Sequence, residues 1–135
     1  MYERFDLASR QRLTAFERLR RCALSYPEAH EDHPWGETAI KVRRKVFLFI
    51  GADGLTVKLP RSFEFALEYP GTKPAAYGLG KSRWISSGYG TRNAPPLDVL
   101  EYWIAESYGA VAPKRLSARP GTRGRAALSL KGRGD

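Results

Sequence analysis

The 135-residue chain is 42% hydrophobic and contains three Trp, six Phe and seven Tyr, which predicts one domain with a modest core and no need of metal or disulfide staples. Its single cysteine excludes an intrachain disulfide and indicates a reducing compartment. The charged N-terminus lacks the apolar segment of a signal peptide, and no apolar run reaches membrane-spanning length, so we expect a soluble, cytoplasmic protein without membrane contact.

The formal net charge is +9, and most of the excess lies near the C-terminus. Residues 113–135 carry seven Lys or Arg against one Asp, whereas residues 1–112 carry 16 against 13 acidic residues. The C-terminal segment is also rich in Gly, Pro and Ser and lacks an apolar period. We therefore predict a mildly basic domain at 1–112 and a flexible basic tail at 113–135.

A first helix is predicted from Ser9, a candidate N-cap, to Leu24, because apolar residues recur at helical spacing. Its predicted inward face consists of Leu13, Phe16, Leu19 and Ala23. Cys22 lies in the same pattern and is expected to be buried. Pro27 ends the helix.

Three strands are predicted next, because β-branched and aromatic residues dominate TAIKV (38–42), KVFLFIG (45–51) and LTVKLP (55–60). Asp53-Gly54, between the second and third, is a strong hairpin-turn signal. Alternate residues of the third strand are apolar from Leu55 onward, which leaves Thr56 and Lys58 on the outer face. This pattern is typical of a sheet that is buried on one side.

A short helix is expected in SFEFALEY (62–69) and a further strand in SRWISSGYG (82–90). In PLDVLEYWIAESYGAV (96–111), apolar residues recur at the spacing of one helical face: Leu97, Leu100, Ile104, Tyr108 and Val111. This order of elements predicts an α+β domain, an antiparallel sheet with the N- and C-terminal helices packed on one face.

Four stretches in this order resemble the MmcQ/YjbR family of small bacterial proteins: EDHPWG (31–36), IKVRRKVFLFI (40–50) with LTVKLP, YGLGKSRWI (77–85) and the last helix. The resemblance implies a fold related to frataxin and type III secretion chaperones, with a double-wing arrangement proposed to bind DNA. The chain departs from the family where Arg43 and Arg44 replace small residues in the first hairpin. Because two non-glycine residues at positive φ are costly in a tight turn, we expect a longer turn or another geometry, with an exposed tip.

Metal and enzyme sites are not expected. His30 and His33 are three residues apart, the chain has no other histidine, and a zinc-binding helix needs a spacing of four. Frataxin-like iron binding is disfavoured by the arginine-rich first helix. AAYGLGKS (75–82) has a relaxed Walker A spacing, but a strand rather than a helix is predicted after it, and no nucleophile elbow is present. We therefore predict no cofactor and interpret HEDHPWG (30–36) as a joint between helix and sheet.

Cations interleaved with aromatic residues on the hairpins form the predicted nucleic-acid site: Arg43, Arg44, Lys45, Lys58, Lys81, Arg83 and Arg92. Two adjacent cationic hairpins are expected to contact phosphates, with DNA the favoured ligand and little base readout. The basic tail is expected to add non-specific binding. Ordinary surface scatter of Lys and Arg explains any single one of these residues equally well.

Two alternatives to nucleic-acid binding remain open. The open sheet face is a candidate surface for a protein or peptide adaptor, which predicts an exposed apolar patch. A small-ligand pocket formed by His33, Trp35 and Trp84 is the other. The expected oligomeric state is a monomer or a weak dimer.

Overall fold

The computed structural model describes residues 2–117, and within them the side chains of residues 10–34 and 36–116. The elements in chain order are α1 (Tyr2–Leu24), β1 (Ala29–Asp32), β2 (Thr38–Val42), β3 (Lys45–Ile50), β4 (Leu55–Lys58), α2 (Phe63–Ala66), β5 (Lys73–Pro74), β6 (Trp84–Ser87), α3 (Leu97–Val111) and α4 (Lys114–Ser117). Two short 3-10 turns lie at Pro34–Gly36 and Leu79–Ser82. Most of the predicted basic tail lies outside the described residues.

The six strands form one antiparallel sheet in the order β1-β2-β3-β4-β6-β5. Helices α1 and α3 pack together on one face of this sheet. Leu55 and Val57 of β4 face these helices and are buried, whereas Thr56 and Lys58 point to the outer face and are partly exposed. The predicted α+β fold is confirmed, with its alternation of buried and outward residues.

A buried hydroxyl joins α3 to the centre of the sheet. Ser107 Oγ donates to the carbonyl oxygen of Phe47 over 2.6 Å and accepts from the backbone N–H of Lys58 over 2.9 Å. Beside it, the rings of Tyr26 and Tyr108 stack at 4.7 Å, and Phe47 meets Tyr108 edge-on at 5.1 Å. One helix position therefore satisfies a polar group on each of two neighbouring strands, in surroundings that exclude water.

The first helix differs from its prediction at the N-terminal end. It begins at Tyr2, so Ser9 is an interior helical residue and not a cap. Leu13, predicted to face inward, is 61% exposed, and the first buried residue that the structure describes is Ala15. Apolar periodicity identifies one face of the helix but not how much of that face is covered. In α1, that face is buried from Ala15 onward, whereas Leu13 remains exposed. The prediction that Cys22 is buried is confirmed.

Part of the predicted joint is an edge strand. Residues 29–32 pair with β2, from Ala29 opposite Val42 to Asp32 opposite Ala39. Burial alternates along β1 with the period of two that a strand requires. The inward residue Glu31 is charged, however, and its carboxylate is neutralised by the guanidinium of Arg20 in α1 at 2.8 Å. The strand was not predicted because a charged residue, held in an ion pair, occupies an inward position where an apolar residue is expected. Of the predicted joint, only Pro34–Gly36 connects two elements.

The packed part of the chain continues past the predicted boundary at Ala112. Helix α4 follows α3, and its Leu116 is 1% exposed within the hydrophobic core. The core therefore includes a residue that the sequence assigned to the tail. Among the described helices, none has both the length and the apolar character that a membrane crossing requires.

Candidate nucleic-acid interface

The antiparallel register places three connections at the same end of the sheet. These are the β2–β3 turn, the β4–α2 connection and the β5–β6 loop, as the pairs Val42–Lys45 and Lys58–Trp84 show. The C-terminal part of α3 lies there too, because Tyr108 Oη donates to the carbonyl oxygen of Pro27, just after α1. We call this the basic end, and we call the opposite end, with the β3–β4 turn and the β6–α3 loop, the closed end.

The β2–β3 turn contains only two residues, and Arg43 takes a φ of 59° while Arg44 keeps a negative φ. One residue at positive φ is the pattern of a type II′ turn, so the chain avoids a second left-handed residue. The Arg43 guanidinium holds Glu28 through Nε at 2.7 Å and Nη2 at 3.4 Å, and this hydrogen bond raises the pKa of Arg43. Arg43 is therefore used to fasten the turn, whereas Arg44 and Lys45 are exposed.

The β5–β6 loop ends on a second left-handed arginine, Arg83, with a φ of 67°. Its Nε donates to the carbonyl oxygen of Pro60 at 2.9 Å, its Nη2 donates to Glu64 at 2.6 Å, and its guanidinium lies 4.9 Å from the Phe63 ring centroid. The bond to Arg83 lowers the pKa of Glu64. Arg83 thus ties the loop to α2 and, like Arg43, has its charge already compensated.

The same loop contains a tight turn at Tyr77-Gly78. Both residues have positive φ, 59° and 81°, and the Leu79 N–H donates to the carbonyl oxygen of Ala76 at 3.1 Å, which is a type I′ turn. A 3-10 turn and then β6 follow, so the helix that a Walker A loop needs is not there. Lys81 of the 3-10 turn is exposed.

In or next to the three connections that define the basic end, four exposed cations have no acidic partner within residues 10–116: Arg44, Lys45, Arg61 and Lys81. The acidic groups of this end are already engaged, since Glu28 binds Arg43 and Glu64 binds Arg83. Glu106 accepts the backbone N–H groups of Arg61 and Ser62 at 2.7 and 3.0 Å. The end therefore keeps an excess of uncompensated positive charge.

Sequence reasoning missed Arg61, although a signal was available. It follows Pro60 directly after a predicted strand, which places it in a connection at a strand end, where side chains reach solvent. Since β4 lies between β3 and β6 in the sheet, Arg61 lies between the two other basic connections. Only the strand order shows this.

Two of the predicted contact residues do not belong to this group of exposed cations. Lys58 projects from the outer face of β4 opposite Trp84 and is partly buried. Arg92 lies in the β6–α3 loop at the closed end, the same end as the 4.0 Å ion pair between Arg12 and Asp53. The structure therefore does not bring Arg92 together with the other predicted contacts.

The residues of the predicted pocket are not brought together either. His33 follows β1 at the closed end, is exposed, and donates from Nε2 to Glu31 at 2.8 Å. Trp84 begins β6 at the basic end, is 9% exposed, and packs 6.1 Å from the Phe49 ring. Strands β1 and β6 are four strand spacings apart, roughly 19 Å. The side chain of Trp35 lies outside the described residues.

The histidines also bind locally rather than to each other. His30 Nδ1 donates to the carbonyl oxygen of Glu28 at 3.3 Å, while His33 binds Glu31. In the part of the chain that the structure describes, no three His, Cys, Asp or Glu side chains are grouped as metal ligands would be.

A family model described as YjbR matches residues 24–110, from the last residue of α1 almost to the end of α3. The chain has no match among the curated proteins or among the solved structures. The matched segment contains all six strands and α3 except its last residue, and it covers the stretches on which the resemblance rested up to that residue. Since this match covers well over half of the sequence, the chain belongs to the YjbR family.

Proposed function

We propose that this YjbR-family protein is a non-enzymatic, cytoplasmic nucleic-acid-binding protein whose basic end contacts phosphates, with duplex DNA the favoured ligand. The observation that carries the proposal is the group Arg44, Lys45, Arg61 and Lys81, which share one end of the sheet without acidic partners among the described side chains. Like charges held near one another repel, and a polyanion relieves that repulsion.

Elsewhere on the described surface, in contrast to these four residues of the basic end, several cations are paired with acidic side chains. Arg18 binds Glu101 at 2.9 Å, and Lys41 binds Asp32 at 2.9 Å, where the bond to Lys41 lowers the pKa of the carboxyl. Several cations of the domain are thus neutralised by neighbours, and those of the basic end are available for an external anion.

The spacing of the two basic turns suits a duplex. The centres of the β2–β3 and β5–β6 connections are three strand spacings apart, about 14 Å, against a major-groove width of about 12 Å. Arg43 and Arg83 fasten these turns to Glu28 and Glu64, so that their neighbours Arg44 and Lys81 are displayed from held backbones. Contacts of this kind position a protein on phosphates and carry little base readout.

The C-terminal sequence supports the same ligand. Leu116 is buried, and α4 follows α3 at the basic end, so the chain leaves the described structure there. The sequence of residues 118–135 contains five Lys or Arg and one Asp. These charges are attached at the end that carries the unpaired cations.

Salt dependence of duplex DNA binding by the full chain tests the proposal. Each lost phosphate contact lowers the slope of log affinity against log salt by about 0.9. We expect the variant Arg44→Gln/Lys45→Gln/Lys81→Gln to show a slope reduced by roughly two to three and an affinity weakened at least tenfold near 50 mM salt.

The matched control is Arg92→Gln, which removes an exposed cation from the closed end and leaves the slope nearly unchanged. A triple variant that binds like the wild type contradicts the proposal. In that case, a variant with the five tail cations replaced by Gln shows whether the tail alone binds.

A second candidate function, recognition of a protein partner, is favoured by one observation. Phe65 and Tyr102 are exposed on the helical side, where Phe65 leads into an aromatic row through Tyr69 to Trp103, with ring centroids 5.9 and 5.6 Å apart. This surface differs from the open sheet face that the adaptor hypothesis used. Loss of a nuclease-resistant complex in Phe65→Ser, with no loss in the triple cation variant, is the result that favours it.

A further inference from the structure

Tyr77 is the most exposed large apolar side chain among the described residues, at 99% of its full surface. It lies in the β5–β6 loop at the basic end, in the same loop as Lys81. An aromatic ring that contacts none of its own protein contributes nothing to the core.

The backbone at this position also disfavours tyrosine. Tyr77 occupies the first central position of a type I′ turn with a φ of 59°, where Asn, Asp or Gly is preferred because L side chains crowd the backbone. Gly78, at the second position, has the residue type that the turn favours. Neither packing nor turn geometry accounts for the ring.

The loop that carries the ring is closely held. The Ala75 N–H donates to the Trp84 carbonyl at 2.9 Å and closes the loop, and Gly80 and Lys81 donate to Ala75 and Gly78 within it, both at 3.2 Å. A Cβ on Gly80 would lie 2.8 Å from the Pro74 side chain, so the loop packs tightly against its own stem. The backbone that carries the ring is therefore held in place, which lowers the entropy lost when the loop binds a ligand.

Resting on the proposed function, we infer that Tyr77 is a stacking platform for an unpaired nucleic-acid base, so that the basic end also binds single-stranded segments, with the ring adding to its phosphate contacts. An exposed tyrosine ring accepts the face of any base and so works without sequence preference. Lys81 and Arg44 supply contacts to the flanking phosphates. The tyrosine hydroxyl is not required for stacking.

The experiment compares two probes with the full-length protein: a thymidine 12-mer and a 12-mer of the same phosphate backbone whose sugars lack bases. We expect the thymidine strand to bind at least about fivefold more tightly than the abasic strand, the contribution of a single base–aromatic stack. Tyr77→Phe should keep this preference.

Tyr77→Asn removes the ring and keeps the turn, because Asn-Gly is the preferred sequence of a type I′ turn. We expect this variant to unfold at a higher temperature than the wild type and yet to bind the thymidine strand no better than the abasic strand. Its affinity for the abasic strand and its salt slope should not change. Tyr102→Gln, which removes an exposed tyrosine from α3, is the matched control and should retain the preference.

An unchanged base preference in Tyr77→Asn overturns the inference, and so does equal binding of the thymidine and abasic strands by the wild type. Neither result affects the proposed phosphate contacts, which fail only if the triple cation variant binds every probe as the wild type does. The two hypotheses therefore fail on different measurements.

Discussion

The two ends of the sheet use their polar groups differently. At the closed end, Tyr89 Oη donates to the carbonyl oxygen of Gly51, and Gly90 packs closely on Ala15 of α1. Burial raises the pKa of the Tyr89 hydroxyl and keeps it a neutral donor. At the basic end, two arginines fasten the turns and four other cations project from them without partners among the described side chains.

This contrast separates two kinds of cation that look alike in a sequence. Arg43 and Arg83 each take a left-handed backbone and each bind a glutamate, so they serve the fold. Arg44 and Lys81 lie within two residues of them and have no such partner among the described residues. Charge at a turn is therefore weak evidence of binding until its partners are known, because a surface ion pair compensates it.

The largest expected effect on stability comes from removing the buried hydroxyl of Ser107. Ser107→Ala leaves the Phe47 carbonyl and the Lys58 N–H without their buried partner, and two such losses cost about 2–4 kcal/mol of unfolding free energy. Urea unfolding measures this loss of unfolding free energy. Ser25→Ala, which removes a bond from an exposed residue, is the control and should cost less. Equal losses in the two variants would contradict the role given to Ser107.

A smaller loss of unfolding free energy is expected from Gly54→Ala at the closed end. A Cβ there would lie 2.7 Å from the carbonyl oxygen of Ser87, and relief of such a clash costs about 1–3 kcal/mol. Gly51→Ala, in the same connection, meets nothing within 4 Å and is the control. The folded fraction of Gly54→Ala should bind DNA like the wild type, because the change lies at the end that we do not assign to binding.

The third prediction compares the two arginines of one turn. Arg44→Gln should lower the salt slope of DNA binding by about 0.9 and leave the unfolding midpoint unchanged. Glu28→Gln/Arg43→Gln removes both charges of the ion pair, so the local charge is the same and the slope should remain as in the wild type. If the double variant loses as much slope as Arg44→Gln, Arg43 contacts phosphate and the distinction between the two arginines is wrong.

The smallest effect is a pH dependence of the basic end. Because Arg83 lowers the folded-state pKa of Glu64, the pair stabilises the fold above the ordinary glutamate pKa of about 4.3, and this contribution disappears as the pH falls through the lowered value. Wild type should exceed Glu64→Gln in unfolding midpoint near neutral pH, and the difference should shrink on acidification. Glu68→Gln is the control, and a difference that persists in acid would contradict the assignment.

Local patterns predicted much of the fold because they report local physics. Strands β2, β3, β4 and β6 and helix α3 all appeared where periodicity indicated them. The edge strand β1 was missed because its inward Glu31 is neutralised by Arg20, a contact that no period reveals. The start of α1 was misplaced because Ser9 resembles an N-cap, although the helix continues back to Tyr2. Leu13 was assigned to the buried face because the apolar pattern continues beyond the part of the helix that is buried.

The candidate site was predicted less well, because it depends on contacts between distant parts of the chain. Glu28 and Glu64 lie 15 and 19 residues from the arginines that they bind, so no local motif marks Arg43 and Arg83 as engaged. Arg92 was grouped with the other cations because its place in the strand order was unknown. Tyr77 was noticed only as a member of the Walker-like spacing and of the family-like stretch YGLGKSRWI, since the exposure of its ring cannot be read from a sequence.

The burial of Leu116 determines where the remaining basic residues are attached. The stretch from residue 118 to residue 135 spans about 60 Å when fully extended. Under the proposed function, a polyanion bound at the basic end would be within reach of the tail cations. Its binding by the tail would then be intramolecular and would depend on an effective concentration rather than on the bulk concentration. Under the proposed function, the burial of Leu116 would join two weak electrostatic contacts into one bivalent binding unit.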